Sequence, residues 1–108
     1  MQFLLRVDGF ATVPDLLKRD TIASMMTASS ANAGYAKGWS VNRSNNWWHN
    51  GSLPGTMTIM ARTSGGFCWA ALTNTRAPKS TMGADLDQLM WNIVRAEPAW
   101  SGGISSER

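Results

Sequence analysis

The residues best suited to chemistry stand together at positions 49–55: His49, Asn50, Gly51, Ser52, Leu53, Pro54 and Gly55. His49 is the only histidine, and an imidazole is the side chain that exchanges protons most readily near neutral pH. Asn50 and Ser52 add neutral hydrogen-bonding groups. A plainer reading fits the same residues: a lone histidine beside Trp47 and Trp48 is more often a packed surface residue than a catalytic one, and Gly51 and Gly55 can simply shape a bulge. Cys68, the only cysteine, lies in the apolar run from Phe67 to Leu72 and reads as a buried, inert thiol. With one Cys and one His there is no ligand cluster, so neither a metal nor a cofactor is expected. Pairing His49 with Asp8, Asp15 or Cys68 gives no recognisable triad spacing. No serine has a lysine three residues on, so the Ser-x-x-Lys nucleophile is absent.

The elements that must position these residues follow from the changing period of the sequence. Phe3, Leu4 and Val7 fit the end of an amphipathic helix stopped at Gly9. Asp20 is a candidate N-cap for a second helix, from Thr21 to about Thr27, with Ile22, Met25 and Met26 on one face. From Tyr35 the period becomes 2. We expect a strand over Tyr35–Asn42, a hairpin turn over Asn42–Asn46, and a second strand starting at Trp47 and interrupted at Gly51–Gly55. Thr56–Thr63 follows, with Met57, Ile59 and Ala61 on one face and Thr58, Met60 and Arg62 on the other. After the turn Ser64-Gly65-Gly66 comes an apolar strand over Phe67–Asn74. Leu86, Leu89, Met90, Ile93 and Val94 form one apolar stripe on a helix over Asp85–Glu97, capped by Ser80 or Thr81 and ended by Pro98. The expected fold is α+β: a three-stranded antiparallel sheet with flanking helices over residues 1–100, and a loose tail over 101–108.

Hydrophobic content of 44% with 16% charged residues describes a packed chain, and six tryptophans in 108 residues are a heavy aromatic load. Ten basic against seven acidic residues give a net charge of +3, but the basic positions are scattered. Nucleic-acid binders concentrate theirs on one face, so no nucleic-acid partner is expected. No stretch approaches the ~20 apolar residues of a membrane span, and Arg6 and Asp8 break the N-terminal apolar run that a signal peptide would need. On those grounds no membrane partner is expected, and the chain as written reads as cytoplasmic.

Three segments in order carry a family resemblance: Gly34-Tyr35-Ala36-Lys37-Gly38-Trp39, Trp48-His49-Asn50-Gly51-Ser52-Leu53-Pro54-Gly55, and Ala70-Ala71-Leu72-Thr73-Asn74-Thr75-Arg76. Together they resemble the C-terminal part of the serine β-lactamase and D-alanyl-D-alanine carboxypeptidase superfamily, especially its class-C-like branch, which includes esterases. The resemblance implies that His49-Asn50-Gly51 is the family's third active-site motif, on an edge strand lining the site. His49, Asn50, Gly51 and Ser52 would then bind substrate, with the Ser52 backbone N–H as an oxyanion donor. His49 stands where most β-lactamases have lysine, and Asn50 where they have threonine. The family's Ser-x-x-Lys and second motif would lie ahead of Met1, which leaves this chain inactive alone. Parent proteins of this kind are often periplasmic or secreted. The expected partners are the missing N-terminal part of the enzyme, or a second copy of the chain in a homo-oligomer that buries Trp47 or Trp48. An alternative reading is a non-catalytic binding or assembly module that uses the aromatic edge of the sheet.

Overall fold

Three tight turns build the sheet, and each is dictated by its residues. At the first, Asn45 N–H donates to the Asn42 carbonyl at 3.0 Å and Asn42 N–H to the Asn46 carbonyl at 3.2 Å. The Asn42 Oδ1 accepts from the Ser44 and Asn46 amides, both at 3.1 Å. Asn45 closes this turn at φ 57°, a left-handed conformation that asparagine tolerates better than most residues. At the second turn Pro54 presets its own φ and Gly55 takes φ 79°, the pattern of a type II turn. At the third, Gly66 N–H donates to the Thr63 carbonyl at 3.0 Å, with Gly66 at φ 84°.

In this computed structural model, residues 2–7, 14–76 and 81–96 are described. The elements are α1 (Gln2–Leu5), α2 (Arg19–Met26), β1 (Ser40–Val41), β2 (Trp47–Leu53), β3 (Thr56–Arg62), β4 (Cys68–Thr73) and α3 (Met82–Ala96). The fold is α+β, and the antiparallel sheet has four strands in the order β1-β2-β3-β4 rather than the three expected. The expected break at Gly51–Gly55 is instead a continuous β2 followed by a two-residue turn. The expected strand over Tyr35–Asn42 shrinks to Ser40–Val41. Gly38 at φ 84° turns the chain back on itself, so that Tyr35 bridges Ser40 and the Ala36 amide bonds the Trp39 carbonyl at 2.7 Å. The stop at Gly9, the Ser80 cap, Pro98 and the 101–108 tail lie outside the described residues.

The chain divides into two compact units, Met1–His49 with Met60–Trp69 and Asn50–Ile59 with Ala70–Arg108. The core of the first unit is Leu4, Val7, Ala36, Trp39, Val41 and Trp47, with Ile22 and Met26 of α2 and the half-buried Cys68 packed against it. Trp39 and Trp47 meet edge to face, centroids 4.9 Å apart, a geometry worth about 0.5–1.5 kcal/mol beyond area burial. Trp47 is 2% exposed. It belongs to the core of this unit, whereas Trp48 is half-buried. Arg62 is buried: its guanidinium lies over Trp47 at 5.6 Å and its Nη1 donates to the Thr63 carbonyl at 2.7 Å. Helix α2 begins at Arg19 behind Lys18, which makes no side-chain cap; Asp20 sits inside the first turn instead of capping it. The far end of α2 is held by Lys37, whose Nζ donates to the Ser24 carbonyl at 2.8 Å and lies 3.1 Å from the Ser24 Oγ.

In the second unit α3 starts three residues earlier than expected. Thr81 precedes it, with its hydroxyl on the Asp85 carboxylate at 2.7 Å and its carbonyl accepting from the Asp85 amide at 3.0 Å. The helix packs on β3 closely enough that a Cβ at Gly83 would stand 3.5 Å from the Met57 Cε. Of the apolar stripe, Leu86, Met90 and Val94 are half-buried, while Leu89 and Ile93 remain 52% and 38% exposed. The half-buried face also takes in Met82, Asp87 and Trp91, so it is rotated from the expected five-residue stripe.

Burial pushes the carboxyl pKa of Asp87 up. A raised carboxylate pKa means that the folded state holds the proton more tightly than the unfolded one. The resulting penalty is present above the folded pKa and disappears once pH falls below the ordinary carboxylate value. We therefore expect Asp87→Asn to raise the thermal midpoint at pH 7, with the difference from the parent closing below about pH 4. Melting curves at neutral and acid pH check this.

Candidate functional site at the edge of strand β2

All four residues singled out in the sequence lie on β2, and the sheet explains what each can present. The Asn42 amide bonds the Asn46 carbonyl, so the polar backbone groups of Asn46 point toward β1. Backbone direction alternates along a strand. Those of Trp48, Asn50 and Ser52 therefore point the same way. β1 pairs only with Trp47 and Trp48. Among the described residues, the β1 ladder ends at Trp48 and does not extend along β2 to Asn50 and Ser52, although β2 is an inner strand by sheet order.

Side chains alternate in the same manner. His49 and Gly51 share one face of β2, and Asn50 and Ser52 the other; all four are exposed. Trp47 is buried and Trp48 half-buried, so one is core and the other rim. The two-residue turn sets position 51 opposite 58 and 47 opposite 62. The Arg62–Trp47 contact and the approach of Thr58 to Gly51 both obey this register. A Cβ built on Gly51 would stand 2.8 Å from the Thr58 Oγ1, so this glycine has a packing role whether or not a ligand comes near it.

Thr58 was not singled out in the sequence. Its signal is the combination of strand alternation with a Pro-Gly turn, which fixes the residue facing Gly51. Thr58 also lines an open groove of about 660 Å³ with Thr56, Leu72, Thr73, Asn74 and Thr75. Two of the segments that carry the family resemblance, those containing Gly51 and Leu72-Thr73-Asn74, thus meet around one threonine. The hydroxyl of Thr73 lies 3.0 Å from the Met57 carbonyl and ties β4 to β3 beside the groove.

No family model, curated protein or solved structure matches the chain. What the arrangement offers chemically is two exposed strand residues, Asn50 and Ser52, with hydrogen-bonding side chains. An imidazole lies beside them in the chain, and a hydroxyl-lined groove lies on the face that Gly51 shares with Thr58. Among the described residues, no group of three or more His, Cys, Asp or Glu side chains could hold a metal ion. No helix of the described residues is long and apolar enough to cross a membrane.

Proposed function

We propose that the chain is the C-terminal portion of a serine β-lactamase-like hydrolase, acting in acyl transfer on a β-lactam, a D-Ala-D-Ala peptide or an ester, to which it contributes the third active-site motif. The observation that supports this reading is strand β2 itself: His49, Asn50, Gly51 and Ser52 lie on it, all exposed, past the last residue that β1 pairs. In such a site the Ser52 amide stabilises the oxyanion of the tetrahedral intermediate. His49 exchanges a proton with, or hydrogen-bonds to, the substrate. The nucleophile comes from a Ser-x-x-Lys segment outside this chain, since none exists within it. The partner is then that N-terminal segment.

The chain alone should turn over neither nitrocefin nor a p-nitrophenyl ester above background, because its groups can stabilise a transition state but cannot attack. The coding sequence upstream of Met1 should carry Ser-x-x-Lys in frame. The longer polypeptide should be labelled covalently by a fluorescent penicillin or a fluorophosphonate, and His49→Ala should lower its turnover about 10²-fold, in the range of a lost general acid–base group. Ester turnover by the short chain that survives Cys68→Ala and is abolished by changing one serine would overturn the reading. An upstream stop codon would favour the alternative, a non-catalytic binding or assembly module that uses the aromatic edge of the sheet.

A further inference from the structure

Asn50 is the only asparagine of the chain that a glycine follows. In such a pair the glycine nitrogen can attack the asparagine Cγ, because no Cβ on the second residue crowds the approach. Here both residues lie within β2, where position 51 stands opposite position 58 of β3. Ring closure requires the Asn50 backbone to rotate out of its extended conformation, so pairing with β3 opposes it. That pairing is held only lightly. Every residue of β2 from His49 to Leu53 is exposed, and among the described residues the β1 ladder ends at Trp48. Lifting this end of β2 from β3 uncovers little apolar surface, which makes it a local opening of low cost.

We infer that Asn50-Gly51 is a latent self-modification site, closed while β2 pairs with β3 and converted to aspartate or isoaspartate when this end of the hairpin opens. The Gly51 nitrogen bonds to the Asn50 Cγ and the Cγ–Nδ2 bond breaks. The proton from Gly51 leaves with the Asn50 amino group as ammonia. Water then opens the cyclic imide. Attack at Cγ leaves aspartate, and attack at the main-chain carbonyl leaves isoaspartate. Either product adds one negative charge, and no redox partner is needed. Only isoaspartate routes the chain through Cβ, which lengthens β2 by one backbone atom. Gly51 then falls out of step with Thr58, and the hairpin cannot close again in its original register. The site stands independently of the proposed hydrolase role.

Incubating the full chain at mildly alkaline pH, in buffer and in guanidinium chloride, tests the inference, with each asparagine followed by peptide mass mapping. In guanidinium Asn50 should react ahead of every other asparagine. In buffer its reaction should be at least about tenfold slower, the factor that a modest opening cost imposes. Gly55 stands at φ 79°, so Gly55→Ala strains the turn and loosens the hairpin. It should speed the reaction in buffer several-fold and leave the rate in guanidinium unchanged. Isoaspartate material returned to buffer should melt at a lower temperature than the Asn50→Asp variant, which carries the same charge on a normal backbone. Equal rates in buffer and guanidinium, or a buffer rate unmoved by Gly55→Ala, would overturn control by the hairpin. Another asparagine reacting first in guanidinium would remove Asn50 as the site. Equal midpoints for the isoaspartate material and Asn50→Asp would overturn the loss of register.

Discussion

Replacing Trp47 with alanine should cost about 3–5 kcal/mol, the range for a large aromatic side chain deleted from a core. Three contributions vanish together. The indole is 2% exposed, meets Trp39 edge to face and lies under the Arg62 guanidinium. The last matters most, because without the ring a buried charge loses one of its partners. Total stabilities of small domains are about 5–15 kcal/mol, so the first unit should be largely unfolded in modest urea. Trp48→Ala removes the same atoms from a half-buried position and should cost about 1–2 kcal/mol. Urea unfolding followed by circular dichroism separates the two. Equal losses would mean that the Trp39–Trp47–Arg62 cluster is not the centre of this core.

Gly51→Ala should destabilise the second unit by about 1–3 kcal/mol, as overpacking does. The added methyl would meet the Thr58 hydroxyl at 2.8 Å, a separation that forces something to move. Thr58→Ala removes that hydroxyl. The double variant should therefore recover about 1 kcal/mol or more relative to the sum of the single changes, the signature of direct contact in a mutant cycle. If Gly51 is bare only for the sake of a ligand, Gly51→Ala leaves stability unchanged and affects turnover alone. The cycle thus distinguishes two reasons for one glycine, and they need not exclude each other.

Turn chemistry was the most legible part of the fold. Asn42–Asn46 and Ser64-Gly65-Gly66 are read directly from residues that accept a left-handed backbone, and both are turns in the structure. Pro54-Gly55 was legible as a break but not as a hairpin turn, because Gly51 nearby offered a competing place for the interruption. Only the pairing of β2 with β3 decides between them. Tyr35–Asn42 misled for a related reason: its alternation is strand-like, but Gly38 takes a positive φ and folds the segment on itself. The burial of Arg62 was not legible, because local alternation carries no information about Val7 and α2, distant in sequence, which line the same pocket as its end of the strand. The candidate site was legible only as a list of residues, His49 to Ser52; its geometry depends on where β1 stops pairing with β2, which the sequence does not mark.

The spatial order of the four strands is also their order along the chain, and each connection is a turn of two or three residues between closing pairs. Such a meander has low contact order in its sheet: each strand meets its predecessor within a few residues, and little loop entropy opposes the pairing. Hairpins of this kind form in roughly 1–10 μs. The sheet can therefore zip from any of its three turns without waiting for a distant segment. The slower event is left to the helices, because α1 and α2 precede every strand and must reach back across the chain to cover Trp47. In kinetic terms, the strand edge that presents Asn50 and Ser52 can exist before the core beneath Trp47 has closed.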